Sequence, residues 1–372
     1  MLHTVVQMGE KLEELSKCNR CGICDAYCPT YRASGRAEFS PSARIEAASK
    51  IFSGEAKKEH LVPVYSCTLC GMCTRICPKG VDIPKLMELC RIALYESGLA
   101  PLPQHHEIID SILRYGNSVK KPRETRWSWL PAEYEFLFEK KSPLLLFIGC
   151  LPSYLTKEIA TSTVELLSKI GVEFRLCREE ECCGAPLLNY GDQAGAREII
   201  EANKQLFEKE GIEELLVVCP GCYRTFEREY KRFEVKHVVH LLYELYEKGE
   251  LELEKLDLEY TYHDPCHLGR EYGLYDEPRA LLEASGRLIE MEESRDKAFC
   301  CGADAGVRPA FKNLSISMAT ERLRQARDKA EVLVTSCPFC LFNLNYTNLK
   351  LGLGLRIAYL TEILLEALKS SP

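Results

Sequence analysis

Two pairs of adjacent cysteines most constrain how this chain folds. Cys182 and Cys183 stand before a glycine in the segment EECCGAP. Cys300 and Cys301 stand before a glycine in the segment FCCGADAG, so the pattern occurs twice. Adjacent cysteines rarely form a disulfide with each other, because the bond needs Cα atoms about 4.4–6.8 Å apart and neighbours reach that only with strain. Each pair therefore predicts a site that binds two sulfurs at once.

Each adjacent pair is the centre of a five-cysteine group. The first CCG group is Cys150, Cys182, Cys183, Cys219 and Cys222, and the second CCG group is Cys266, Cys300, Cys301, Cys337 and Cys340. The two groups are offset by 118 residues, measured from Cys182 to Cys300. A repeat of this kind predicts two copies of one structural unit. Five sulfurs are one more than a zinc ion or a cubane cluster requires.

Each copy has the pattern of alternating strands and helices. Four short apolar runs end at a cysteine, namely SPLLLFIGC at Cys150, ELLVVC at Cys219, LEYTYHDPC at Cys266 and AEVLVTSC at Cys337. Helical patterns such as AREIIEANKQLFEKEG and TERLRQARDKA lie between them. This alternation predicts a parallel sheet in each copy, and ligands of such sheets bind beyond the carboxyl ends of the strands. We expect the cysteines of each copy to meet there.

The front of the chain carries two further runs of four cysteines, each spaced C-x2-C-x2-C-x3-C and followed by proline. The runs are Cys18, Cys21, Cys24 and Cys28, then Cys67, Cys70, Cys73 and Cys77. This is the spacing of bacterial ferredoxins, in which the fourth cysteine of each run binds the cluster of the other run. It predicts two cubane [4Fe-4S] clusters, one held by Cys18, Cys21, Cys24 and Cys77 and the other by Cys67, Cys70, Cys73 and Cys28. Zinc is the alternative, but a zinc site needs only four ligands and not a doubled run.

Helical patterns surround these runs. The segment SPSARIEAASKIFSG predicts a helix opened by Ser40 or Ser42, and VDIPKLMELCRIALYESG predicts a helix from Pro84 that stops at Gly98. The predicted fold class is α+β multidomain, with an N-terminal α-helical ferredoxin domain followed by two repeated α/β CCG domains. The predicted boundaries are 1–100 for the ferredoxin domain, 101–141 for a helical linker, 142–260 for the first CCG domain and 261–372 for the second.

Composition limits the class of protein and its partners. The chain has 372 residues, is 46% hydrophobic and carries a net charge of −7, which argues against nucleic acid as a partner. Residues 1–17 have the pattern of an amphipathic helix and not of a secretory signal, and the apolar run from Leu144 is too short to span a membrane. Twenty cysteines at short fixed spacings then indicate metal sites in a reducing compartment. We expect a cytoplasmic protein that reaches a membrane only through a partner.

Eighteen of the twenty cysteines belong to these four groups. The two left over are Cys90 and Cys177. Cys90 lies within the second predicted helix, and we expect it to be a small buried apolar residue. The sequence assigns no role to Cys177.

The order of these motifs resembles the CCG-domain iron-sulfur family over essentially the whole chain. This family includes the B-type and D-type subunits of heterodisulfide reductase and the iron-sulfur subunits of glycolate, lactate and glycerol-3-phosphate dehydrogenases. A helical ferredoxin domain fused to two CCG domains is most similar to the D-type subunit of heterodisulfide reductase. The resemblance implies a non-cubane [4Fe-4S] cluster in each CCG group, with zinc as the alternative in the first.

The resemblance also implies a reaction, namely reductive cleavage of a disulfide of the CoM-S-S-CoB type. We expect both CCG groups to line one shared cleft, with electrons supplied through the ferredoxin-type cysteines. His263 and His267 flank Cys266 in HDPCH and are candidate proton donors, although a role in binding the backbone fits them equally. Arg224 and Arg270 are candidates for contacting anionic substrate groups, and a solvated surface role is the alternative for each.

An electron relay is the alternative function. In the glycolate and glycerol-3-phosphate enzymes a flavoprotein oxidises the substrate and the iron-sulfur subunit passes electrons towards quinone. The chain has no G-x-G-x-x-G sequence after a strand, so it depends on other redox subunits for electrons. The expected partners are a membrane cytochrome b, a hydrogenase or a flavoprotein.

Overall fold

A computed structural model describes residues 13–369 of the chain. Most of the helix predicted for residues 1–17 lies outside this range. The strands are β1 Leu144–Phe147, β2 Glu214–Val217, β3 Glu234–His237, β4 Glu259–His263, β5 Arg287–Leu288, β6 Val332–Thr335 and β7 Arg356–Tyr359. The α-helices are Pro29–Ser34, Pro41–Phe52, Leu61–Tyr65, Met72–Ile76, Ile83–Glu96, Pro103–Tyr115, Cys150–Tyr154, Lys157–Lys169, Ala185–Tyr190, Gln193–Lys209, Pro220–Glu229, Val238–Glu247, Cys266–Tyr272, Asp276–Ser285, Val307–Ala310, Lys312–Arg327, Pro338–Leu351 and Leu360–Glu366.

The front of the chain is helical, as the sequence predicts. Helix Pro41–Phe52 begins after Ser40, whose side chain accepts a hydrogen bond from the backbone N–H of Ala43 at 3.1 Å. Helix Ile83–Glu96 begins after Asp82, which caps its first turn in the same way. The two helices pack against each other around an apolar core that includes the fully buried Cys90.

Two parallel sheets follow, one in each copy of the repeat. The first has the order β1-β2-β3 and the second the order β5-β4-β6-β7. Leu145 pairs with Leu215 in the first sheet, and Tyr260 pairs with Val332 in the second. The four apolar runs that precede cysteines form β1, β2, β4 and β6, so the prediction of a parallel sheet in each copy is confirmed. The cysteines accordingly lie at or just beyond the carboxyl ends of these strands.

The predicted linker 101–141 is packed into the first copy. It contains helix Pro103–Tyr115, and its residues Ile112, Trp129 and Leu137 belong to the same buried core as Phe147 of β1. The segment therefore packs against the first sheet as part of its hydrophobic core. The boundaries of the four segments remain predictions.

The two copies exchange helix contacts reciprocally. Helix Val238–Glu247, the last of the first copy, packs on helix Asp276–Ser285 of the second. Helix Leu360–Glu366, the last of the second copy, packs on helix Lys157–Lys169 of the first. The hydroxyl oxygens of Ser162 and Thr361 are 2.7 Å apart in this second contact. The last helix of each copy therefore packs on a helix of the other copy.

Arg91 joins the helical domain to both copies. Its side chain is fully buried, and it donates to the carbonyl oxygens of Val64 at 3.1 Å and Cys67 at 2.6 Å within the front domain. It also donates to the carbonyl oxygens of Asn189 at 3.0 Å and Ala305 at 3.1 Å. These last two residues follow the adjacent cysteine pairs of the first and second copies. One guanidinium group therefore fixes three parts of the chain.

Candidate metal centres

The first ferredoxin-type group combines cysteines from both runs. A cavity of about 210 Å³ is lined by all four of its predicted ligands, Cys18, Cys21, Cys24 and Cys77. Burial, then the nearby Asp25, raises the pKa of Cys24 to about 12, and the sulfurs of Cys18 and Cys77 add to this effect. The group lies near the surface, since Cys21 is exposed. The structure thus brings together the four cysteines that the spacing assigns to one cluster.

The second ferredoxin-type group, Cys28, Cys67, Cys70 and Cys73, is buried throughout. The fully buried Arg44 lies beside it, with Nη1 3.2 Å from the Sγ of Cys28. Burial alone would lower the pKa of Arg44, but the sulfurs of Cys67 and Cys28 raise it instead. Arg44 has no carboxylate partner among residues 13–369, and a buried cation of this kind fits a negatively charged cluster of thiolates and iron.

The first CCG group is a continuous set of thiol contacts. Hydrogen bonds connect the five side chains in the order Cys150, Cys182, Cys183, Cys222 and Cys219. Hydrogen bonds from two neighbouring thiols lower the pKa of Cys183, because they stabilise its thiolate. Five converging sulfurs are a donor set that fits an iron-sulfur cluster.

Glu180 holds the loop that carries the first cysteine of this group. Its carboxylate accepts hydrogen bonds from the backbone N–H groups of Ile148 at 3.0 Å and Gly149 at 2.8 Å, directly before Cys150. It also forms a buried ion pair with Arg126. The sequence interpretation missed this role. The signal available in the sequence is the acidic pair Glu180 and Glu181 directly before Cys182.

The second CCG group repeats this geometry. The Sγ atoms of Cys301 and Cys340 are 3.2 Å apart, and hydrogen bonds from Cys300 and Cys340 lower the pKa of Cys301. A ring nitrogen of His263 lies within 4.8 Å of the sulfurs of Cys301 and Cys340. Ten cysteines of the two copies therefore meet in two matching sites.

The two CCG groups have different surroundings. A cavity of about 450 Å³ lies between the two copies and is lined by all five cysteines of the first group. Among the described residues 13–369, the second copy contributes Ala303, Asp304 and Phe339 to its wall but none of its cysteines. Cys300 instead packs with Cys70 of the second ferredoxin-type group in one buried cluster. The expected cleft between the copies is present, but only the first group lines it.

The two candidate histidines lie in different environments. Nδ1 of His263 accepts a hydrogen bond from Nε of Arg322 at 3.0 Å, and burial followed by this cation lowers the pKa of His263. His267 has Nδ1 3.2 Å from Oδ2 of Asp304 and Nε2 3.3 Å from the carbonyl oxygen of Leu69. Burial opposes protonation of His267, but Asp304 outweighs it and raises the pKa. Neither histidine lines the cavity, whereas Asp304 does.

The two candidate arginines also differ. Arg224 forms ion pairs with Glu88 and Glu271, so its charge is neutralised between the front domain and the second copy. Arg270 contacts backbone carbonyl groups close to cysteines of two groups. The cations that do line the cavity beside the first CCG group are Lys120, Arg308 and Lys312. The sequence interpretation missed these three because none of them lies within a cysteine motif.

Comparison with known proteins agrees with this arrangement. Residues 14–81 match a family model described as a 4Fe-4S dicluster domain, and residues 144–227 and 260–345 each match one described as a cysteine-rich CCG domain. The D-type subunit of a dihydromethanophenazine:CoB–CoM heterodisulfide reductase from Methanosarcina mazei is 32% identical over 96% of this chain and 95% of that protein. The chain belongs to the CCG-domain iron-sulfur family.

Other relatives in the CCG-domain family are oxidoreductases of different kinds. The B-type subunit of a fumarate reductase (CoM/CoB) from Methanothermobacter marburgensis is 26% identical over 95% of this chain and 72% of that protein. An EtfAB:quinone oxidoreductase from Syntrophomonas wolfei is 29% identical over 89% of this chain and 54% of that protein. As a CCG-domain protein, the chain is an iron-sulfur redox subunit. Within residues 13–369, no helix is both long enough and apolar enough to cross a membrane.

Proposed function

We propose that this chain is the iron-sulfur subunit of a heterodisulfide reductase-like complex that reduces a disulfide of the CoM-S-S-CoB type. The reaction consumes two electrons and two protons and releases two thiols. When bound, two cubane clusters at the ferredoxin-type cysteines and two non-cubane clusters at the CCG cysteines supply one-electron chemistry. Zinc in the first CCG group is the alternative that metal analysis has to test.

The cavity beside the first CCG group is the observation that carries this proposal. Its volume of about 450 Å³ is in the range of small-molecule sites. Leu155, Phe339 and Phe342 give it apolar walls, which suit the apolar part of a disulfide. A substrate bound there lies against five cysteines of a redox-active group.

The charges around the cavity indicate the kind of disulfide. Lys120, Arg308 and Lys312 line it. The guanidinium carbon of Arg308 is 4.5 Å from the ring centroid of Tyr346, and the Nζ of Lys312 is 5.3 Å from the same ring. The ring therefore holds both cations beside the cavity. A disulfide with acidic end groups fits this site better than a neutral one.

Protons for the two thiol products have a route from the buried side of the cavity. Asp304 lines the cavity, and its Oδ2 lies 3.2 Å from Nδ1 of His267. We assign His267 a role as proton holder behind Asp304. His263, the other predicted histidine, is held neutral by burial and by Arg322, so we assign it to binding at the second CCG group rather than to proton transfer.

Electrons come from a partner under this proposal, either a membrane cytochrome b, a hydrogenase or a flavoprotein. The exposed Cys21 places the first ferredoxin-type group at the surface where a partner reaches it. A cytoplasmic location, peripheral at the membrane through that partner, is part of the same proposal.

The test uses anaerobically reconstituted protein and a reduced dye as electron donor. We expect reduction of a CoM-S-S-CoB-type disulfide, and a new paramagnetic state on adding the disulfide that requires Cys183 and Cys301. Cys177→Ser is the matched control, because this buried cysteine lies outside the four groups. Unchanged turnover and spectra in both Cys183→Ser and Cys301→Ser would contradict the proposal.

An electron relay for a flavin-dependent glycolate, lactate or glycerol-3-phosphate dehydrogenase is the second candidate. The similarity to an EtfAB:quinone oxidoreductase favours it, since the name of that protein describes electron transfer to quinone. A relay transfers electrons between a flavoprotein and quinone and needs no disulfide in the cavity. Quinone reduction with a flavoprotein donor, and none of a disulfide, would support the relay.

A further inference from the structure

Arg270 lies between two cysteine groups from different domains. It belongs to helix Cys266–Tyr272, which begins with a cysteine of the second CCG group. Its Nε donates a hydrogen bond to the carbonyl oxygen of Cys70 at 2.6 Å. Its Nη1 donates to the carbonyl oxygen of Ala298 at 2.7 Å, two residues before Cys300. One guanidinium group therefore ties the loop of a ferredoxin-type cysteine to the loop of a CCG cysteine.

The cysteines on these loops pack together. Cys70 and Cys300 belong to one buried cluster, and Cys266 packs against that cluster. The second ferredoxin-type group and the second CCG group therefore meet at one point, beside Arg270. The first CCG group borders the 450 Å³ cavity instead.

The positive charge of Arg270 is balanced by sulfur. Within residues 13–369 it forms no ion pair with a carboxylate, and its buried Nη2 has no hydrogen-bond partner. Cys70, Cys266 and Cys300 are the sulfurs close enough to interact electrostatically with its guanidinium group. A guanidinium group in this setting stabilises extra negative charge on either neighbouring cysteine group.

We propose that Arg270 is a positioning residue that couples the second ferredoxin-type group to the second CCG group, so that electrons enter the CCG pair at the second group. Each transfer moves one electron, so one group is oxidised as the other is reduced, and no bond or proton is exchanged. The inference rests on the loading of both groups with iron-sulfur clusters under the proposed function. It does not depend on the identity of the disulfide.

The test is a redox titration of the full-length reconstituted protein, monitored by electron paramagnetic resonance with dithionite as reductant and without any disulfide. In Arg270→Gln, we expect the one-electron reduction equilibrium of both neighbouring groups to weaken at least tenfold, which corresponds to about 59 mV. The first ferredoxin-type group should change less than threefold. Arg270→Lys keeps the charge and should stay within threefold at every group.

Arg228→Gln is the matched control. Arg228 lines the same 800 Å³ groove as Arg270, but it is half-exposed and pairs with Glu88 and Glu271 rather than with a cysteine loop. It should leave all potentials within threefold. A shift below threefold in Arg270→Gln, or an equal shift in Arg270→Lys, overturns the proposal.

If Arg270→Gln fails to load iron, the coupling is tested in the wild-type protein instead. There the reduced second ferredoxin-type group should broaden the paramagnetic resonance signal of the second CCG group more than that of the first. Equal broadening of the two signals overturns the proposal. The titration contains no substrate, so it is independent of the disulfide assay. If the potentials shift as expected but the protein does not reduce the disulfide, the proposed function is rejected and this proposal stands.

Discussion

Replacing Arg91 by methionine should separate the front domain from both CCG copies. Four backbone carbonyl groups would lose their donor, at distances that now range from 2.6 to 3.1 Å. A buried carbonyl without a partner costs about 1–3 kcal/mol, and removing the buried charge recovers part of this, so we expect a net loss of about 4 kcal/mol. Natural domains are stable by only about 5–15 kcal/mol, so the loss is severe.

Anaerobic urea unfolding of the reconstituted protein, followed by circular dichroism, measures this effect. The free energy of unfolding falls by about 3 kcal/mol per M of urea, so the urea midpoint should fall by about 1.3 M. Arg197→Met is the matched control, because Arg197 is an exposed helical arginine. Arg91→Lys should lie between the two, since it keeps the charge but not the planar fork. If Arg91→Met moves the midpoint no further than Arg197→Met, the four carbonyl contacts do not hold the domains together.

Three further outcomes are expected. Cys301→Ser should abolish disulfide turnover with the ferredoxin-type signals intact, whereas Cys73→Ser should slow electron entry; turnover retained in Cys301→Ser would refute the site assignment. Iron and acid-labile sulfide should fit four four-iron clusters per chain, and eight irons or fewer with zinc in both CCG groups would refute the cofactor proposal. Burial raises the pKa of Glu362 to about 7, so its contribution to stability is present below about pH 4.5 and is lost as the pH rises through 7. Glu362→Gln should therefore remove the fall in urea midpoint between pH 5 and pH 8, and an unchanged fall would show that another group causes it.

The sequence was sufficient for features that depend on local spacing. The two ferredoxin runs, the repeat of 118 residues and the strands that precede Cys150 and Cys337 all follow from short patterns and their order. Contacts between distant segments had no such signal. Arg91 bonds to carbonyl groups 98 and 214 residues away, and nothing near Arg91 in the sequence indicates them.

The different surroundings of the two CCG groups could not be predicted from the sequence either. Both groups are complete, so the pattern alone predicts equal surroundings and a shared cleft. Which group borders the cavity depends on how the front domain packs, because Cys70 reaches Cys300 and occupies the side of the second group. Segment 101–141 was predicted as a linker for a similar reason, since its apolar residues find their partners only in the folded first copy.

The reciprocal exchange of helices sets a time at which the protein becomes competent to take up metal. Helix Lys157–Lys169 is made early by the ribosome, but its partner Leu360–Glu366 is among the last described elements to emerge. Domains usually fold in order during synthesis, yet here the first sheet must wait with an uncovered apolar face. We expect the nascent chain to need protection until release, and the first CCG group to accept iron only after the last helix has docked.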